Sequence, residues 1–251
     1  MGQGGSLELL KEKLKALPKD KVLALKKRLA EMGISIEFDG LALSPIDRKL
    51  LLPASYVQHR LWFSNLRNEQ GDATYNLPVA VRLAGVLNVD ALAAAYQYVV
   101  NRHETLRTTF AVHDGEIIQV IHDHPLSLRV RAVNESAIKQ EVKDHAMARF
   151  DLEKGPLIKA DLLQISATDN LLLINIHHII SDGWSQGSLL LPELFAAYQA
   201  IEQGTQVDLP ALSVQYADYA LWQRSWLEAG EGERQLAWWT EHLGGGEQVL
   251  E

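Results

Sequence analysis

Cysteine is absent from the 251 residues. That excludes disulfides, a thiolate nucleophile and cysteine-ligated zinc, and leaves histidine, serine, carboxylates and backbone groups for any chemistry. No apolar run approaches the roughly 20 residues needed to cross a bilayer, and the N-terminal residues carry no signal-peptide core. A cytoplasmic protein with no membrane partner is therefore expected. An excess of positive charge is also lacking: the net charge is −8, which argues against nucleic acid as a partner. What is present is a 47% hydrophobic content, enough over this length to bury a sizeable core in one large domain or two.

The charge is unevenly placed. Through Met32, eight Lys and Arg residues stand against four acids, a local net of +4 that leaves −12 on the remainder. After a Gly-rich leader, Leu7 to about Leu17 and Lys21 to about Met32 carry apolar residues at helical spacing, with Pro18 between and Gly33 after, which predicts a helical hairpin. Residues 1–40 are thus read as leader and hairpin, either a solvated basic face or a docking element for an acidic partner. Residues 41–251 are the body.

Within the body, Gly40 to Pro53 reads as a linker and Ser55 to about Leu66 as a short helix. Strands are expected at 77–83, 107–112, 116–122, 126–133, 156–165 and 171–177, and helices at 90–102, 136–149, 185–203 and 216–243. Asp114-Gly115 is a hairpin signal between the second and third of those strands. No internal repeat occurs at solenoid spacing. Interleaved strands and helices with hairpins among them predict a mixed sheet covered by helices, an α/β or α+β sandwich.

Chemistry is concentrated in Ile174-Asn175-Ile176-His177-His178-Ile179-Ile180-Ser181-Asp182-Gly183-Trp184-Ser185. An apolar strand delivers two adjacent histidines into a loop, and a helix begins at about Ser185. Neighbouring strand residues point to opposite faces, so His177 and His178 cannot both serve one site: one is catalytic, the other structural. The same geometry chelates a metal poorly, and no second ligand cluster lies nearby in sequence, so no metal is expected. Gly183 allows close backbone approach or a positive φ, and Asp182 suits an Asx turn or a pair with an arginine.

Four stretches together resemble the condensation domains of nonribosomal peptide synthetases. Ser55-Tyr56-Val57-Gln58-His59-Arg60-Leu61-Trp62-Phe63 is similar to the first motif, with Val57 where alanine is usual. Arg102-His103-Glu104-Thr105-Leu106-Arg107-Thr108-Thr109-Phe110 is similar to the second, His177-His178 through Asp182-Gly183 to the active-site HHxxxDG, and Tyr216-Ala217-Asp218-Tyr219-Ala220-Leu221-Trp222 to the fourth. The resemblance spans residues from about 50 to 243. The family's later motifs, including one built around Phe-Val-Asn-Thr, do not occur, so the likeness is to the N-terminal lobe, and a C-terminal lobe is missing. Cyclisation domains replace the two histidines. Epimerisation domains keep them but differ around Gly183-Trp184-Ser185 and Gln58 to Phe63.

The resemblance implies a chloramphenicol-acetyltransferase-like lobe and peptide-bond formation in antibiotic-type biosynthesis. An acyl thioester on the 4'-phosphopantetheine arm of a donor carrier domain passes to the amine of an aminoacyl group on an acceptor carrier. The implied partners are these two carriers, the missing C-terminal condensation lobe and an adjacent adenylation domain. No cofactor is expected to be bound covalently by this chain. His178 is implied to be the catalytic residue and His177 its packed neighbour. Asp182 would hold the loop, with Arg60 as its candidate partner or a residue of the other lobe instead. Gly183 and Trp184 would shape the pantetheine entrance, Ser185 would complete the motif, and Glu104 and Arg107 would be structural. The competing readings are a non-catalytic carrier-docking or domain-docking module and a coenzyme-A-dependent acyltransferase. Apolar faces left uncovered by the absent lobe predict self-association.

Overall fold

The computed structural model describes residues 43–67 and 73–244. The hairpin expected within residues 1–40 lies outside the described residues. Residues 44–220 form one compact unit, and Leu43 with residues 221–244 belong to a second. In chain order the elements are β1 (Leu52–Pro53), α1 (Tyr56–Arg67), β2 (Asn76–Ala84), α2 (Val89–Arg102), β3 (Thr108–His113), β4 (Glu116–Ile121), β5 (Arg129–Ala132), α3 (Ile138–Ala146), β6 (Ile158–Ser166), β7 (Asp169–His177), α4 (Leu191–Glu202), α5 (Tyr216–Trp226) and α6 (Gly232–Leu243).

Strand β7 is the centre of the first unit. It pairs antiparallel with β2, Asn76 opposite His177, and antiparallel with β6, while β5 joins β6 in parallel. Every residue from Asn170 to His177 is buried, because both faces of this sheet are covered. Leu172, Ile174 and Ile176 pack in one cluster with Leu92 and Val99 of α2 and Leu194 and Ala197 of α4. Leu171 and Leu173 point the other way, into a cluster with Leu163, Ile138 and Val142. A strand buried on both faces has no polar alternation, which is why it reads as a continuous apolar run. Each such leucine or isoleucine contributes about 1.5–3 kcal/mol over leaving it exposed.

The single mixed sheet expected from the pattern is two sheets. β1, β4 and β3 form a separate three-stranded antiparallel sheet. Its β3–β4 hairpin turns through Asp114 (φ 50) and Gly115 (φ 84), the pair of positive φ angles a two-residue type I′ turn requires. Fully buried Phe110 of β3 meets Trp62 of α1, ring centroids 6.3 Å apart.

Helix α1 opens with a capping box. The Gln58 N–H donates to Ser55 Oγ at 3.2 Å and the Ser55 N–H to Gln58 Oε1 at 2.9 Å. Its outer face exposes Val57, Arg60 and Phe63 at helical spacing. The helix expected from Ser185 starts earlier, at Gly183, and runs through a widened five-residue turn, Gln186–Leu190, before α4. Pro192 follows that turn at the start of α4; it has no N–H for an intrahelical bond and its ring crowds the preceding turn, which favours the wider geometry.

The segment expected as one helix from Tyr216 to Leu243 is interrupted over Leu227–Glu231, where Gly230 has φ 110. In the second unit the Trp222 and Trp226 rings stack at 5.5 Å and Trp238 stacks on His242 at 3.9 Å. Among the described residues, no helix is long and apolar enough to cross a membrane.

Candidate active site

The two histidines at the end of β7 separate as strand geometry requires. His177 is 4% exposed, and its ring lies 6.1 Å from Tyr75 and 6.0 Å from Phe150 between centroids. Its Nδ1 accepts the Ile179 N–H at 3.1 Å, so the ring is neutral with its proton on Nε2. Burial, with a smaller push from His178, takes its pKa down to about 4. It is packed in the core and holds the first residue of the turn through the Ile179 N–H.

His178 is exposed. Its backbone N–H donates to Tyr75 O at 2.8 Å, fixing where the side chain leaves the sheet. Its Nδ1 lies 2.9 Å from Ser181 O. A carbonyl oxygen only accepts, so Nδ1 carries the proton and Nε2 of the neutral ring is left with the lone pair. The site therefore presents one imidazole nitrogen able to accept a proton.

Asp182 does not pair with Arg60. Its Oδ1 accepts the Ser185 N–H at 2.7 Å and caps the helix that starts at Gly183. Hydrogen bonds from the Ser185 side chain and backbone hold its carboxyl below the usual carboxylate range. Arg60 sits on the outer face of α1, in solvent, where among the described residues no ion pair reaches it. The local cap three residues on takes the carboxylate's Oδ1 instead. Gly183 does not have a positive φ, and a Cβ there would meet nothing within 4 Å, so space for the backbone is not what this lobe asks of it. Trp184 is 70% exposed.

Residues given no catalytic part in the sequence reading hold this turn from behind. Gln58, 1% exposed, directs its side-chain amide at Ile179 O, 3.2 Å. Thr105 Oγ1 donates to Ile180 O at 2.9 Å, and Tyr216 OH lies 3.0 Å from Ser55 Oγ. The first, second and fourth motif stretches thus converge on, or just behind, the third. The spacing Ser55-x-x-Gln58 is legible as a helix cap, but its continuation to Ile179 is not.

A second missed group is Arg48, which bonds Glu104 at 2.8 Å and Asp218 at 2.7 Å. Asp218, 1% exposed, also accepts the N–H groups of Ile46 and Gln215. Arg102 and His103 both reach Glu193, at 3.0 and 2.6 Å, and Arg107 bonds His122 O and Asp123. Every polar residue of the second motif from Arg102 to Arg107 is therefore engaged in holding structure.

A cavity of about 460 Å³ lies elsewhere, at the β5 edge, lined by Arg129, Arg131, His145 and Asp161 among others. His178 stands outside it, on an open surface. Among the described residues, no group of three or more His, Cys, Asp or Glu side chains is placed to hold a metal ion.

Two sheets with helices on the larger one carry a His-His turn that exposes only its second imidazole, within His177-His178-x-x-x-Asp182-Gly183. The chain belongs to the condensation-domain family of nonribosomal peptide synthetases: the family described as "Condensation domain" matches residues 50–251. It is 44% identical over 217 residues to one of the linear gramicidin synthase proteins of Brevibacillus parabrevis, covering 83% of this chain and 4% of that protein. Among solved structures it is similar to the X-domain in its complex with OxyB from teicoplanin biosynthesis, at TM-score 0.76 and 31% identity over 85% of this chain and 48% of that one. It shares the fold of the starter condensation domain of rhizomide synthetase RzmA, at TM-score 0.70 and 18% identity over 79% of this chain and 49% of that one. The chain thus spans about half the length of the solved domains it matches and a few per cent of the synthetases.

Proposed function

We propose that this chain is the N-terminal lobe of a condensation domain and supplies His178 to an amide-forming acyl transfer. The donor acyl group arrives as a thioester on a carrier's phosphopantetheine arm, passing the open surface at Gly183 and the exposed ring of Trp184. The acceptor is the amine of an aminoacyl thioester on a second carrier. The amine nitrogen attacks the thioester carbon, the C–N bond forms and the C–S bond breaks. Nε2 of His178 takes the amine's proton and gives it to the departing pantetheine sulfur, which leaves as a thiol, so the imidazole ends neutral.

The observation that carries this reading is the contact of the exposed His178 ring: Nδ1 lies 2.9 Å from Ser181 O, a carbonyl that can only accept, which leaves Nε2 with the lone pair. A positioned proton acceptor contributes typically ~10²–10⁴-fold. An α-amino group with a pKa of about 7.7–8.0 is partly neutral at pH 7, so orienting the amine matters at least as much as basicity. The cleft is completed by the C-terminal lobe of the same domain, and an adenylation domain adjacent in the parent synthetase loads the acceptor carrier.

A second reading is favoured by the 31% identity to the X-domain whose structure is a complex with OxyB: a lobe that docks a partner without transferring an acyl group. Mass spectrometry of the acceptor carrier separates them. Donor-loaded and acceptor-loaded carriers are mixed with this chain, with and without a C-terminal lobe added separately. Condensed product only when both lobes are present is the expected result. No product in either case, with a carrier or another partner retained on the chain, supports the docking reading.

A further inference from the structure

The turn Ile179-Ile180-Ser181 follows the two histidines, and its last carbonyl, Ser181 O, lies 2.9 Å from Nδ1 of the exposed His178 ring. Two successive carbonyls of that turn point away from solvent and each is met by one side-chain donor from a distant part of the chain. Gln58 Nε2 reaches Ile179 O at 3.2 Å and Thr105 Oγ1 reaches Ile180 O at 2.9 Å. Neither donor is free to drift. The Gln58 carbonyl oxygen is held by the Ser55 N–H at 2.9 Å and its amide also lies 3.4 Å from Gln119 Oε1. Gln119 is itself anchored to Pro53 O at 2.8 Å. Thr105 lies in a single helical turn, Glu104–Arg107, followed directly by β3.

Two held carbonyls fix the planes of the Ile179–Ile180 and Ile180–Ser181 peptides, and so the position and direction from which the chain enters Ser181, whose own carbonyl comes next. That oxygen decides which nitrogen of His178 carries the proton. We infer that Gln58 and Thr105 are positioning residues for the His178 imidazole, holding the turn so that Ser181 O takes the Nδ1 proton and Nε2 stays open. This rests on the acyl-transfer reading above only for its consequence in turnover; the effect on the tautomer stands apart from it. Neither residue touches the reacting atoms.

The test uses this chain labelled with ¹⁵N at its nine histidines, the His178 signals being identified by their loss in His178→Gln. The parent is expected to show His178 protonated at Nδ1 and bare at Nε2. Thr105→Val keeps the shape and removes the donor, and is expected to mix the two tautomers while unfolding cooperatively like the parent. Thr105→Ser, which restores a hydroxyl, is expected to return the parental pattern. Gln58→Met is expected to act in the same direction as Thr105→Val. With a C-terminal lobe and loaded carriers, Thr105→Val is expected to lower kcat about tenfold with KM unchanged, the scale of one lost hydrogen bond to a catalytic group's support.

A parental tautomer in Thr105→Val overturns the proposal, and so does an equal disturbance in the valine and serine variants. Either result leaves the role of His178 in turnover intact. Unchanged turnover in His178→Ala would instead remove the acyl-transfer reading and leave the tautomer result standing.

Discussion

Lowering the pH from 7 towards 4 is expected to remove stability chiefly through His177. The ring is packed against Tyr75 and Phe150 and spends its Nδ1 lone pair on the Ile179 N–H, so protonation both charges a buried group and removes an acceptor. In the fold its pKa is about 4, against an ordinary 6.5. Between those values the unfolded chain binds a proton that the folded chain refuses, so stability rises with pH across the window and is lost as pH falls through it. The loss reaches about 3 kcal/mol once pH is below both values, at ~1.4 kcal/mol per pH unit. His145 and His122, both pushed down chiefly by burial, add to the same trend. Urea unfolding at several pH values between 7 and 4.5 measures the slope, and His177→Gln supplies the comparison because only the difference in slope matters. Equal slopes in parent and variant, or an NMR titration midpoint for His177 near 6.5, would refute the reasoning.

Three further outcomes follow from the same geometry. Asp218→Ala leaves Arg48, Ile46 N–H and Gln215 N–H without their common acceptor, and is expected to cost about 3 kcal/mol in chemical denaturation. Asp182→Ala is expected to lose about 1 kcal/mol of stability, read as a fall in Tm, whereas Asp182→Asn keeps a capping oxygen and most of that stability; equal loss in both would show that the carboxylate's charge, not its cap, matters. Gly183→Ala places its Cβ where nothing lies within 4 Å. It is expected to fold like the parent in thermal melts and to lower turnover in the two-lobe assay if the pantetheine arm passes there.

The site was legible in the sequence where a single local rule governs it. A strand buried on both faces writes a continuous apolar run, period two separates His177 from His178, and Asp114-Gly115 announces its hairpin. The bonds that arm the site were not legible, because Gln58 and Ile179 stand 121 positions apart and Thr105 and Ile180 75 apart. Periodicity describes a neighbourhood, and these contacts depend on which strands become neighbours. The same limit explains the second sheet, since nothing local tells β1 and β4 to pair apart from β7. Asp182 is the converse case: of the two roles expected, a local Asx turn or a pair with an arginine such as Arg60, the local one holds within this lobe, through a cap on Ser185. Arg48 lies in a stretch that reads as linker, and its role appears only when Glu104 and Asp218 are brought to either side of it.

If Nε2 of His178 takes part in amide formation, removing the imidazole slows the transfer itself. The most direct measurement is single-turnover mass spectrometry of the acceptor carrier with both lobes and both loaded carriers present, comparing the parent chain with His178→Ala. Condensed product is expected with the parent, and a fall of at least ~10²-fold in its rate with the variant. Product formed at the parental rate by His178→Ala would contradict that role.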